Sequence, residues 1–260
     1  MTKPLNGQHA LITGASRGIG VAVAIALAEA GATLSLTARN GTEIAEVATA
    51  LAKKHGVAAA GYAADATNSG QVEETIRNIT AAQGAPTILV NNAGGADSVP
   101  FLKETHAQWE HTLTLNLTST FVAMQAVLPA MLDAGYGRII NMASTAGLKG
   151  YAYVSSYCAA KHGVIGLTRA TALETARKGV TVNAVCPGYT DTPMVADAVN
   201  KIMKKSGRSR EETIAELAAS NPQRRLLDPP EVAAAVLWLA LPSSSSITGQ
   251  SITVAGGEVM

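Results

Sequence analysis

Short, nearly continuous apolar runs recur along the chain: HALITG (His9–Gly14), TLSLTAR (Thr33–Arg39), VAAAGYAAD ending at Asp65, PTILVNNAGG, GRIINMAS, VTVNAVCPG and SITVAGG. Each is bounded by turn residues and reads as a strand, HALITG as a buried one. Between them lie longer stretches of helical character. These are VAVAIALAEAG stopped by Gly31, TEIAEVATALAKKHG, the region from about Ser69 to Gln83 and that from about Glu104 to Asp133. AAKHGVIGLTRATALETARK, a polar segment from about Pro193 to Ser220, and PPEVAAAVLWLAL with proline at its start complete the set. Strand and helix alternate without repeat or linker. The expected fold is a doubly wound α/β domain, a mainly seven-stranded parallel sheet with helices on both faces, in one domain over residues 1–260.

In such a sheet ligands bind at the carboxyl ends of the strands. Gly14, Asp65, Asn91, Ser144 and Pro187 all fall at or just after expected strand ends. The first strand–helix turn, Thr13-Gly14-Ala15-Ser16-Arg17-Gly18-Ile19-Gly20, carries a G-x-x-x-G-x-G spacing. Glycines there permit the turn and the close approach of a pyrophosphate to a helix N-terminus. The end of the second strand bears on the nucleotide. It holds Ala38 and Arg39, with no acid between Ala30 and Thr42. An acid there would bind a ribose diol, whereas Arg39, with Arg17, suits a 2′-phosphate. NADP(H) is therefore expected ahead of NAD(H), although both arginines also read as solvated ends of elements. Asp65 suits an adenine amino group, and equally a helix N-cap.

Tyr157 and Lys161 lie four residues apart in an expected helix, hence on one face. Lowering a tyrosine pKa by about three units takes roughly 4 kcal/mol. A positive charge about 4 Å away supplies that much at an effective dielectric near 20. Ser144, where a strand gives way to a loop, is placed to hold a carbonyl or alcohol oxygen beside the phenol. On its own the pair also describes an ordinary amphipathic helix face.

Composition narrows the classes. The chain has 260 residues, 47% of them hydrophobic, 24 glycines and a net charge of +1. That describes a well-cored globular protein with no electrostatic case for nucleic acid or an acidic membrane. The N-terminal residues lack the apolar core of a signal peptide, and the longest apolar run, Val232 to Leu241, is short for a bilayer. A cytoplasmic location is expected. Two cysteines, Cys158 and Cys186, make neither a disulfide framework nor a metal cluster, and no metal is expected.

With these pieces in place, the chain resembles the short-chain dehydrogenases/reductases over nearly its whole length. The resemblance rests on TGASRGIG (13–20), Asp65, NNAG (91–94), Asn116, Ser144, Tyr157-x-x-x-Lys161, and Pro187-Gly188 followed by Thr192. It implies a Rossmann-like fold and a catalytic set of Asn116, Ser144, Tyr157 and Lys161. In that scheme Tyr157 exchanges the proton, Ser144 positions the substrate oxygen, Lys161 lowers the tyrosine pKa and holds the ribose, and Asn116 maintains a water in the proton path. Read from residues alone, Asn116 is a poor helix former that bonds to backbone at a kink. The resemblance extends cofactor contacts to Gly14, Ser16, Arg17, Gly18, Ile19, Gly20, Arg39, Asp65, Ala66, Asn91, Asn92, Ala93, Gly94, Tyr157, Lys161, Pro187, Gly188, Thr190 and Thr192. Substrate contacts fall to Ser144, Ala146, Tyr151, Val154, Tyr189 and Met194, with Gly95 nearby. The chemistry implied is interconversion of a ketone and a secondary alcohol, a 3-oxoacyl thioester or similar. An NAD(H)-dependent hydroxyacyl or secondary-alcohol dehydrogenase, and a non-catalytic nucleotide-binding protein, are the alternatives. Relatives are usually homotetramers.

Residues 192–225 are where this family carries its variable lid. Here the lid is rich in Lys201, Lys204, Lys205, Arg208, Arg210, Arg224 and Arg225. A coenzyme A or acyl-carrier thioester would suit that charge. A solvated amphipathic helix explains it as well.

Overall fold

A computed structural model describes residues 3–260. Seven strands alternate with helices: β1 (His9–Thr13), α1 (Gly18–Glu29), β2 (Thr33–Ala38), α2 (Gly41–His55), β3 (Ala59–Ala63), α3 (Ser69–Gln83) and β4 (Ile88–Asn91). There follow α4 (His106–Leu113), α5 (Ser119–Ala134), β5 (Gly137–Met142), α6 (Ser155–Thr175), β6 (Val180–Pro187), α7 (Pro193–Ser206), α8 (Arg210–Leu217), α9 (Pro229–Ala240) and β7 (Ser251–Val254). The strands form one sheet in the order β3-β2-β1-β4-β5-β6-β7, every pairing parallel. Strand order reverses between β1 and β4, so a crevice opens there at the carboxyl edge.

The strand period of two explains both faces of the core. Ile12, Val90 and Ile140 point to one side and pack with Leu27 of α1, Ile44 of α2 and Val236 of α9. Their neighbours Leu11, Leu89 and Ile139 point to the other, against Ile79 of α3 and Val127 and Met131 of α5. Burying each such side chain contributes about 1.5–3 kcal/mol. Because both faces are covered, these strands read as unbroken apolar runs.

The expected long helical region near 104–133 is a composite. Between α4 and α5 the backbone makes a π-helical turn over Thr114–Thr118, and a 3-10 turn over Phe101–Lys103 precedes α4. By length and composition the whole stretch His106–Ala134 is long and apolar enough to cross a membrane. Val122, Met124, Val127 and Met131 are instead buried against the sheet, which makes it a core helix. The polar segment after residue 192 divides into α7 and α8, joined by Gly207 at φ 72°.

Candidate active site

The glycine turn between β1 and α1 is tight enough to demand its glycines. Gly14 and Gly18 hold φ of 64° and 59°, in the left-handed region. A Cβ on Gly20 would stand 2.3 Å from the Gly14 carbonyl oxygen and 2.7 Å from Asn92 Nδ2. The first turn of α1 has neither a side-chain cap nor an acid. Its N–H groups and positive dipole end are left for an anion. The Asn92–Gly94 loop after β4 is braced onto this turn. Asn92 Nδ2 donates to the carbonyls of Thr13 (3.1 Å) and Gly14 (2.9 Å), and Thr13 Oγ1 accepts from the N–H groups of Asn92 and Ala93, each at 3.0 Å. On the lid side, a Cβ on Gly18 would meet Thr192 Cγ2 at 3.2 Å. Thr192 itself caps α7 by accepting from Val195 N. This cradle fits a nicotinamide dinucleotide: glycine backbone for the pyrophosphate, Asn92–Gly94 and Pro187–Thr192 flanking the cleft.

Arg17 and Arg39 are both exposed, and neither takes part in the ion pairs found among the described residues. Asp65 does not cap α3; Asn68 does, accepting from Gln71 N. Asp65 Oδ1 instead accepts from the N–H and hydroxyl of Thr67, at 2.9 and 2.8 Å, which holds its pKa low. Ala66 follows it in the same turn, while Ser16 and Ile19 sit partly buried in the glycine turn.

The expected catalytic residues Asn116, Ser144, Tyr157 and Lys161 meet beyond the ends of β4 and β5. Ser144 caps a 3-10 turn at Thr145–Gly147, its hydroxyl accepting from Ala146 N at 3.1 Å. Gly147 lets that turn lie on α6, since a Cβ there would come within 2.7 Å of the Lys161 carbonyl oxygen. Lys161 is 4% exposed and donates to the Met142 carbonyl at 2.7 Å. Its Nζ stands 5.6 Å from the centre of the Tyr157 ring. A Cβ on Gly94 would touch Asn116 Oδ1 at 2.7 Å and Lys161 Nζ at 3.6 Å, so these three positions share one corner. Asn116 is fully buried in the π turn. Its Oδ1 accepts from Gly95 N (3.1 Å), and its Nδ2 donates to the carbonyls of Gly95 (2.9 Å) and Thr112 (3.0 Å). π turns recur at functional sites in other proteins.

The electrostatics differ from the sequence expectation. Burial pushes Tyr157 up to about 12, with the neighbouring Ser144 hydroxyl acting the other way. Burial likewise pulls Lys161 down to about 8. The sequence argument set a full charge about 4 Å away in a moderately polar medium. Here desolvation opposes both charged forms and outweighs it. Burial thus favours the protonated phenol.

The residues expected to contact substrate lie as follows. Tyr151 and Tyr189 meet edge to face with centroids 6.4 Å apart. Ala146 is buried, Val154 precedes α6, and Met194 on α7 is nearly half exposed. Thr190 is buried and bonds back to the Gly188 carbonyl. Of the lid cations, Lys201 pairs with Asp97, Arg208 with Glu216 and Arg225 with Glu231.

Two acids at this site have no signal in the sequence. Glu104 accepts from the hydroxyls of Ser155 (2.7 Å) and Ser156, in the first turn of the helix that carries Tyr157. Glu258, near the C-terminus, reaches the Tyr151 hydroxyl. Both contacts join residues far apart in the chain, beyond any local spacing.

A family model for short chain dehydrogenases matches residues 8–202. The 3-oxoacyl-(acyl-carrier-protein) reductase FabG of Vibrio cholerae is 41% identical over 98% of this chain and 99% of its own. The D-beta-hydroxybutyrate dehydrogenase of Cupriavidus necator is 36% identical over 98% and 99%. A crystal structure of an actinorhodin polyketide ketoreductase variant with NADPH superposes with a TM-score of 0.92, at 35% identity, covering 99% of each chain. The chain belongs to the short-chain dehydrogenase/reductase family and is an NAD(P)-dependent oxidoreductase.

Proposed function

We propose that this protein reduces a ketone to a secondary alcohol with NADP(H), the substrate being a 3-oxoacyl thioester or a similar ketone. The observation that carries this reading is the shared corner of Gly94, Asn116 and Lys161, with Ser144 beside the Tyr157 phenol. The nicotinamide supplies the hydride when bound. Ser144 Oγ holds the carbonyl oxygen, and Tyr157 Oη gives it the proton. The protonated phenol that burial favours is the state that reduction needs. The Lys161 ammonium, close by, favours the phenolate left after transfer, passes it a proton and takes one up in turn from solvent, which restores the pair. Asn116 holds the Gly94–Gly95 loop against Lys161 and, in the same proposal, maintains a water there. Assembly as a cytoplasmic homotetramer belongs to this proposal, on family resemblance alone.

The preference for NADP(H) rests on Arg39, exposed at the end of β2 and outside the ion pairs of the described residues, with no acid between Ala30 and Thr42 in the chain, although Asp65 stands close enough to feel its charge. Arg39→Asp should lower the ratio of kcat/KM for NADPH over NADH by about tenfold to a hundredfold, through lost pairing and added repulsion. Steady-state rates with each nucleotide and ethyl acetoacetate read this directly. An unchanged ratio would remove Arg39 from 2′-phosphate recognition.

A further inference from the structure

The last residues of the chain place a buried carboxylate against the substrate approach. Glu258 has a side chain only 1% exposed. Its Oε1 collects three donors: Lys149 Nζ at 3.0 Å, the Tyr151 hydroxyl at 2.5 Å and Ser220 Oγ at 2.8 Å. Tyr151 in turn accepts from the hydroxyl of Thr145, the residue after Ser144, at 2.7 Å. Glu258 Oε2 lies 3.1 Å from where a Cβ on Gly188 would stand, so the carboxylate packs beneath the turn that presents Tyr189. The tail is fixed in this pose. Gly256 (φ 59°) and Gly257 (φ 92°) lie on Asn221 and Pro222, at the end of the lid, too closely for side chains. One carboxylate thus joins the loop before α6, the exit of the lid and the turn after β6.

The chemical consequence concerns Lys149. Its ammonium stands 5.0 Å from the centre of the Tyr151 ring, and its side chain is 38% exposed. Standing beside Tyr151, an expected substrate contact, it would alone attract a substrate carboxylate. Glu258 already occupies it, with an oxygen that is itself desolvated. A hydrogen-bonded ion pair of this kind leaves no free cation for an incoming anion, and an anion approaching it meets a buried negative charge.

We infer that Glu258 is a specificity-determining residue that masks Lys149, so that the pocket takes uncharged ketones, esters and thioesters and excludes free 3-oxo acids. This deepens the ketone-reductase reading and rests on it. Glu258 touches no reacting atom; it acts through Lys149 and Tyr151.

The test compares acetoacetate with ethyl acetoacetate, which share a ketone and differ in charge. In Glu258→Gln the hydrogen-bonding shape is kept and the charge removed. The ratio of kcat/KM for acetoacetate over the ester should rise by about tenfold as Lys149 is released to the anion. In the double variant Glu258→Gln with Lys149→Gln the rise should vanish, since the cation is gone. A ratio unchanged in Glu258→Gln, or raised equally in the double variant, would overturn the inference. Calorimetry of acetoacetate binding to each NADPH-loaded protein separates this from the reductase reading. If no variant turns over either ketone while acetoacetate binds Glu258→Gln about tenfold tighter than wild type, the masking stands and the reductase reading falls.

Discussion

Tyr157→Phe should lose roughly 10³-fold in the rate of ketone reduction, within the 10²–10⁴ range for removal of a positioned general acid. That corresponds to about 4 kcal/mol of transition-state stabilisation. The ring stays, so the packing of α6 and the position of Lys161 should be kept. NADPH titration by fluorescence should then give a Kd close to that of wild type, and thermal unfolding should be little changed. The separation of the two readouts is the point of the experiment. A loss of rate with retained binding assigns the proton to Tyr157 Oη. Retained turnover would move the proton donor elsewhere, since the Ser144 hydroxyl is the remaining donor of the proposed pair.

The second large effect lies in the glycine turn. Gly20→Ala places a methyl group 2.3 Å from the Gly14 carbonyl oxygen and 2.9 Å from the Ala15 Cα, both backbone atoms. Neither can swing aside, so β1 and α1 must separate or the turn must deform. A cost of about 1–3 kcal/mol in stability follows from overpacking of this kind, and Tm should fall by about 2–10 °C for a chain of this size. The turn is also the expected pyrophosphate seat, so Kd for NADPH should rise by about tenfold or more. Calorimetric unfolding and a fluorescence titration of the same variant check both. Unchanged affinity would mean that the nucleotide does not lie on this turn.

Much of this was legible in the chain because the governing patterns are local. Strands buried on both faces give unbroken apolar runs, and β1, β2, β5 and β6 lie within a residue or two of where those runs place them. The ends of α3 are marked by Asn68 and Gly84, and the expected span of Ser69 to Gln83 is the one observed. Tyr157 and Lys161 could be paired because four residues is a helical neighbour distance. What escaped was non-local or depended on burial. Asn116 was legible as a poor helix former, yet it sits in a π turn and bonds to Gly95, twenty-one residues away in sequence. The shifts of Tyr157 and Lys161 run against the simple charge argument because desolvation cannot be read from spacing. Glu258 lies 107 residues from Tyr151, and nothing in VAGGEVM announces that its carboxylate turns inward.

The most direct measurement is the initial rate of NADPH oxidation, followed at 340 nm, by the wild-type protein with an acetoacetyl thioester. NADPH should be consumed in step with formation of the 3-hydroxyacyl product, faster than NADH under the same conditions. NADPH bound tightly but not oxidised, by this thioester or any ketone of a broad panel, would contradict the assignment and leave a nucleotide-binding protein.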